Sequence, residues 1–515
     1  MLVWVFRFLR YNDMASDFFI RQLLAYTRIL AWIAILFFIF TPPAPAQSPG
    51  VGQAAYQWPE SARLLSAYLG IPSISGNEGR AGRYLSDLCR QYNLHVEVFS
   101  EEEHNYNFAA SLYPLESSLP NIIFLNHIDV VGAGSEEDWT HPPFSGAIQD
   151  SMVWGRGAID MKSMAIMQLL ALSRFKAQHS DEPLPFNATL LSVSAEEVIS
   201  PYGAGWVVEN FFDLLNPVAV YGEGGAGVYG LISRDEEKPV MCVSIADKKA
   251  LWFELTFDEP GSGHGAIPPP HYANQTALRR LDILLGQRPK IRLSDCAKEF
   301  FTELGKMEGG VRGFVLRNSG FFKPLIAGRL RKQPMVMAAV SNTMVLTNLN
   351  NPDGAFNQIA QKTVAQFDCR LLPGTDSEHF LQKIRTGLKP GPWSLEVLGE
   401  SQEADASDTG MHYQLLVNAL RTEYPEAAVL PVLFPAITDN NFFRNRGVPT
   451  YGIHPVIFST ELLQTIHNTD ERIPVQSLER GLRVYINLLN GAFNYHHKEA
   501  AGQPLARKKQ KKPGI

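Results

Sequence analysis

Past residue 50 the chain alternates between two apolar periodicities. Segments 60–73 (ESARLLSAYLGIPS) and 79–94 (GRAGRYLSDLCRQYNL) repeat apolar residues at the 3.6 spacing of a helix. HVEVFS at 95–100 and NIIFLNH at 121–127 are short runs bounded by turn residues, which predicts strands. The order then continues with a strongly apolar helix at 161–178, a strand at 188–197 (ATLLSVSAEE), a helix at 202–215 and a strand at 217–225 (PVAVYGEGG). Strands separated by helices predict an α/β layer built on a mostly parallel, twisted sheet with helices on its faces.

Near residue 247 the texture changes. Segment 248–260 (KKALWFELTFDEP) reads as an edge strand, followed by the turn-rich GSGHGAIPPP and a helix at 274–286. TMVLTNLN (343–350) and KTVAQFDCRLLP (362–373) fit an antiparallel sheet. This predicts an inserted α+β domain at 247–400 between two parts of the first domain, 56–246 and 401–498. The second part resumes with helices at 412–424 and 475–493 and a strand at 447–453. No internal repeat is visible.

Composition narrows the class. The 515 residues are 45% apolar and 19% charged, with a formal charge of −6, enough for more than one core. Residues 1–46 carry four Arg and two Asp, so the rest is −8, which argues against a nucleic-acid-binding surface. The basic tail at 499–515 reads as a solvated end. The four cysteines are spread without a CxxC pair, so neither a disulfide framework nor a thiolate metal site is expected. An uncharged run, Ile29–Phe40, follows arginines and precedes an Ala44-Pro45-Ala46 site. Residues 1–46 therefore read as a secretory signal peptide, with Met14 as an alternative start and an uncleaved membrane anchor as the alternative. Either way, export to the periplasm or medium is expected.

The unusual polar residues gather where strands end. His127 and Asp129 follow NIIFL, Glu196 and Glu197 follow TLLSVSA, and Glu223 follows PVAVYG. In open α/β sheets this is the ligand-binding edge. Asp160 sits in a Gly-rich turn before the apolar helix, and His467 in a late loop. Singly, each has a plain reading: solvated polarity for HxD and the Glu pair, a helix N-cap for Asp160. Together, histidines and carboxylates without thiolates form a nitrogen/oxygen donor set suited to zinc, manganese or cobalt. Alternate strand residues share a face, so Asp129 can accept the second ring N–H of His127 and orient it.

With these stretches in view, the chain resembles the dizinc metallopeptidases that include carboxypeptidase S, glutamate carboxypeptidase, aminoacylase, acetylornithine deacetylase and succinyl-diaminopimelate desuccinylase. LNHIDVV, DWTHPPFSGAIQDSMVWGRGAIDMKS, SAEEV, YGEGG, GHGAIPPP, LPGTD and IHNTDERI carry the likeness, in order, and the carboxypeptidase S branch looks nearest. The resemblance implies two zinc ions, with manganese or cobalt as substitutes. His127 and Glu223 would hold one, Glu197 and His467 the other, and Asp160, before a cis peptide to Met161, would bridge them. Glu196 would be the general base and Asp129 the orienter of His127. His264 would reach a neighbouring active site, which implies a homodimer, with the inserted domain as lid and dimerisation unit. Asn357 and Arg370 would bind the substrate near its carboxylate. Ala195, Gly265, Ala266 and the HNTDER loop depart from the family pattern without removing a ligand or the base. The implied activity is hydrolysis of a peptide or N-acyl amino acid; a dizinc aminopeptidase or dipeptidase, and a non-catalytic binding protein on the same fold, are the alternatives.

Overall fold

The computed structural model describes residues 58–198, 202–231, 237–260, 263–351 and 355–500, the last three without their side chains. The signal peptide and anchor expected from the sequence lie outside the described residues, as does the basic tail beyond residue 500; residues 499 and 500 close the last helix. Among those described, no helix is long and apolar enough to cross a membrane.

The chain opens with helices Glu60–Leu69 and Gly79–Gln91 and a hairpin of β1 (His95–Glu102) and β2 (Asn105–Ser111). It then builds β3 (Asn121–His127), helix Lys162–Gln178, β4 (Asn187–Val193), helix Ala204–Leu215, β5 (Pro217–Val228) and β6 (Val240–Asp247). An excursion follows, with β7 (Lys249–Asp258), β8 (Thr343–Asn350), β9 (Lys362–Leu371) and β10 (Trp393–Glu400). The chain returns through β11 (Ala428–Phe434), β12 (Thr450–Phe458) and helix Val475–Ala500.

The large sheet has the order β1-β2-β4-β3-β5-β12-β6-β11. Its centre, β4-β3-β5-β12, is parallel. The sheet is nevertheless mixed: β2 runs antiparallel to β4 and β6 antiparallel to β12. Every residue of β3 and β4 is buried, because helices cover both faces. Ile123 and Leu125 pack with Val207, Val208 and Phe443 on one side. On the other, Phe124 meets the ring of Tyr485, and Asn126 is hydrogen-bonded to Gln168 of the apolar helix.

The excursion contains a four-stranded antiparallel sheet of order β8-β9-β7-β10. The stretch expected as an edge strand, β7, is an inner strand paired on both sides. Its alternation explains this: Leu251, Phe253, Leu255 and Phe257 join Ala365, Phe367 and Cys369 in a buried cluster beneath helices Ala273–Leu285 and Ser377–Leu388. The intervening Trp252, Asp368 and Arg370 occupy the opposite face. Between β7 and β8 lie helices that the periodicity reading passed over: Asp295–Glu308, Gly310–Arg317, Ser319–Leu330 and Pro334–Val340.

Candidate metal centre

Three neighbouring parallel strands, β4, β3 and β5, bring their polar residues to one edge. His127 closes β3, and beyond it Asp129 is fully buried. After β4 the backbone turns through Ala195 at φ 63 into a single 3-10 turn carrying Glu196 and Glu197. The amide N–H groups of Glu196 and Glu197 both donate to the Asp129 carboxylate at 3.2 Å, and the Ser75 hydroxyl donates to it at 2.8 Å. Asp129 thus ties together two strand ends. It also meets His127 differently from the expectation: its backbone carbonyl lies 2.9 Å from Nδ1, nearer than its carboxylate at 3.5 Å. The ring is held by both.

Glu223 is not at a strand end, as the sequence suggested, but inside β5. The ladder to β12 pairs Gly452 with Gly222 and then Ile453 with Gly225, so Glu223 and Gly224 form a bulge. A bulge re-aims a side chain without ending the strand. It requires small neighbours: a Cβ on Gly225 would lie 1.9 Å from the Cys242 carbonyl oxygen, and one on Gly224 (φ +152) 2.6 Å from Ser244 Oγ. The Asn440 amide donates to the Glu223 carbonyl at 2.7 Å and props the bulge.

Asp160 stands between two histidines. One carboxylate oxygen is 3.2 Å from His127 Nε2, and the other is 3.2 Å from His467 Nε2. Glu223 lies 3.6 Å from His127 Nε2, and Glu197 3.2 Å from His467 Nε2. The donor atoms of His127, Asp160 and Glu223 lie within 4.8 Å of one another, as do those of Asp160, Glu197 and His467. The Asp160–Met161 peptide is cis, as the resemblance implied. Asp160 does not cap the following helix with its side chain.

The loop holding Asp160 is fixed by a residue the sequence reading quoted but did not single out. Glu471, fully buried, accepts from Arg156 Nη1 at 2.6 Å and from the N–H groups of Gly157, Ile159 and Asp160 at 2.8–3.1 Å. Asp439 and His454 were also missed. Asp439 is nearly buried with one carboxylate oxygen unpaired. The His454 ring meets the Ser163 hydroxyl at 3.2 Å, and its Nδ1 is unpaired. Only their placement beside the other donors marks them.

The electrostatics are those of a cluster in want of cations. Burial, followed by neighbouring carboxylates, raises Glu223 to about 7 and Glu196 well above the usual carboxylate range. Burial likewise lifts Asp439 to about 8. Hydrogen bonds that the His467 ring donates to Asp160 and Glu197 push it up to about 10. Burial opposes charge on His127, yet Asp129, Asp160 and Glu223 hold it well above its ordinary value. Protons would be bound here because negative charge is crowded; divalent cations would satisfy the same crowding. Two sets of nitrogen and oxygen donors sharing one aspartate fit such ions.

A cavity of about 410 Å³ adjoins these donors. Asp160, Glu196, Glu197, Glu223 and His467 line one end, and Arg370 and Trp252 contribute from the inserted sheet. Arg370 is gripped by Asp368 at 2.9 Å. His264 and Asn357 are not brought to the cavity. Both are exposed and lie together on a small ribbon in which Gly263–His264 pairs with Gln358–Ile359.

Comparison with known proteins follows the same lines. The sequence profile of peptidase family M20/M25/M40 matches residues 123–491. A probable carboxypeptidase S-like protein of Dictyostelium discoideum is 25% identical over 401 residues, covering 76% of this chain and 75% of its own. The human N-fatty-acyl-amino acid synthase/hydrolase is 23% identical over 498 residues, covering 90% of this chain and 96% of its own. The fold matches the Sulfolobus solfataricus M20 family metallo-carboxypeptidase with a TM-score of 0.63 at 16% identity, over 84% of this chain and 98% of that one. Human carnosine dipeptidase 1 matches at 0.62 and 14%, over 84% and 96%. The paired donor clusters form a metallopeptidase-type active site suited to hydrolysing an amide or peptide bond. With the family profile spanning most of the chain and both clusters in place, this chain belongs to peptidase family M20/M25/M40.

Proposed function

We propose that the protein hydrolyses N-acyl amino acids that carry a long apolar acyl group, using two zinc ions. The observation that carries this reading is the cavity. Away from the donors it is walled by Ala297, Phe300, Phe301, Val336, Leu433 and other apolar side chains, too apolar to favour a second polar amino acid. The name of the human relative, which specifies N-fatty-acyl amino acids, supports it. The carboxypeptidase reading, in the carboxypeptidase S branch, shares the same machinery and is supported by the Dictyostelium relative.

In this reading His127 and Glu223 would hold one ion and Glu197 and His467 the other, with Asp160 available to both. Bound there, the ions supply Lewis acidity and a water of lowered pKa. Glu196 takes the proton of the attacking water and returns it to the departing nitrogen, which leaves as a free amine. Asp129 and Glu471 hold His127 and Asp160 in place. Arg370 presents a planar fork to the carboxylate of the amino acid. His264 and Asn357, exposed on one ribbon, serve the active site of a second copy. Export by way of residues 1–46 belongs to the same proposal.

The test is a turnover panel with zinc and with manganese: one amino acid acylated with chains of increasing length, beside dipeptides. The value of kcat/KM is expected to rise about fourfold per added methylene until the cavity is filled, since each buried methylene is worth ~0.8 kcal/mol. A panel that favours dipeptides or acetyl groups sinks the acyl reading.

A further inference from the structure

Helices Gly310–Arg317 and Ser319–Leu330 carry an apolar surface that nothing among the described residues covers. Val311 is 82% exposed, Phe314 52%, Phe321 83% and Leu325 71%. Val311 and Phe314 share a face at i, i+3, and Phe321 and Leu325 share one at i, i+4. Phe322 joins the two helices, with its ring 5.8 Å from Phe314 and 5.0 Å from Phe321. The opposite face of the second helix, Ile326 and Leu330, is buried against Phe301 and Val340. The exposed residues are therefore one continuous patch and not scattered surface apolar groups.

The charge along this segment is one-sided too, apart from Arg312, which pairs with the buried Glu308 at 3.7 Å. Residues 309–352 contain Arg312, Arg317, Lys323, Arg329, Arg331 and Lys332 and no acidic residue, in a chain whose net charge is −6. All but Lys323 are exposed. Aromatic and aliphatic side chains framed by cations match the anionic headgroups and acyl region of a lipid bilayer. The next helix, Pro334–Val340, leads from the patch to the cavity. Its Met335 is 61% exposed and also lines the cavity, so the apolar passage opens beside the patch.

We propose that helices 310–317 and 319–330 dock on an anionic lipid surface, placing the Met335 rim where an acyl chain can pass from the bilayer to the metal centre. The docking surface stands on exposure and charge; the passage of an acyl chain rests on the acyl-amino-acid reading above.

The experiment uses the full chain with Phe321→Cys, labelled with an environment-sensitive fluorophore. Cys89, Cys296 and Cys369 are buried, and burial pushes the Cys242 thiol up to about 12, so label is directed to the introduced cysteine. Vesicles containing phosphatidylglycerol should shift the emission to the blue, and vesicles of phosphatidylcholine alone should do so weakly. Adding Arg329→Glu, Arg331→Glu and Lys332→Glu should weaken the vesicle response by more than about tenfold, given about fivefold per basic side chain. Turnover of a water-soluble N-acetyl amino acid should be unchanged in these variants, which establishes that they fold. Absence of a shift, even where the protein sediments with vesicles by another segment, overturns the proposal. So does a shift that follows protein concentration without lipid, which would make a second copy the occupant. A lipid-dependent shift in a protein that turns over no N-acyl amino acid would leave docking intact and remove the acyl reading alone.

Discussion

At Glu471 one carboxylate decides where another points. Its four hydrogen bonds fix the 156–160 backbone, so the Asp160 oxygens can face His127 on one side and His467 on the other. Asp129 does the same for the Glu pair. Glu196 differs from both: it belongs to neither donor cluster, lines the cavity, and is held well above the usual carboxylate range by burial and Glu223. A carboxylate placed this way is suited to move a proton. Glu196→Gln is therefore expected to bind two metal equivalents, as counted by elemental analysis, while hydrolysis falls by about 10²–10⁴. Near-normal turnover would refute the role; lost metal would make Glu196 a ligand.

The elements supply directions that single residues cannot. β3 and β4 deliver their side chains by ending, whereas β5 does so by bulging, and the bulge depends on Gly224 and Gly225 sitting against β6 and β12. Gly225→Ala should lower stability by about 1–3 kcal/mol, the usual result of forcing a carbon into filled space, and should weaken metal retention at the His127–Glu223 side. Gly132→Ala, whose Cβ meets nothing within 4 Å, serves as the control. Thermal unfolding and metal titration measure both effects; an unchanged Gly225→Ala protein would mean the bulge does not position Glu223.

At the scale of the whole molecule, the two sheets meet at a polar junction. The chain passes from β6 to β7 through Asp247 and Lys248, both buried. Asp247 accepts from Arg444 at 2.7 Å and from the Thr438 hydroxyl at 2.6 Å. The Lys248 amine donates to the carbonyls of Ala338 and Ser341 at 3.0 and 2.9 Å, fastening the end of helix Pro334–Val340 beside the cavity. Burial, aided by Arg370, lowers Lys248 to about 8, against ~10.4 for an exposed lysine. Between those values the unfolded chain binds the additional proton, so this group's contribution to stability is lost as pH falls and gained as pH rises. The difference in unfolding free energy between wild type and Lys248→Met should grow in favour of wild type across that window, by at most about 1.4 kcal/mol per pH unit. A difference that stays flat would show that the amine is not burdened by its burial.

The sequence by itself determined the donors and the fold class. HxD, the Glu pair, YGEGG, GAID and IHNTDER each carry a side chain whose chemistry is visible in one dimension, and strand–helix alternation is a local property. Tertiary structure decided what depends on partners distant in the chain. Whether β7 is an edge or an inner strand is set by β9 and β10, more than 100 residues later. The bulge at Glu223 exists only against β12, and the grip of Glu471 only against a loop 311–315 residues away. The helices at 295–340 were illegible for a related reason: part of their apolar surface is turned outward, so their pattern does not separate a buried face from a wet one. Chemistry is written in residue types, whereas direction, pairing and exposure arise only when distant segments close the same space.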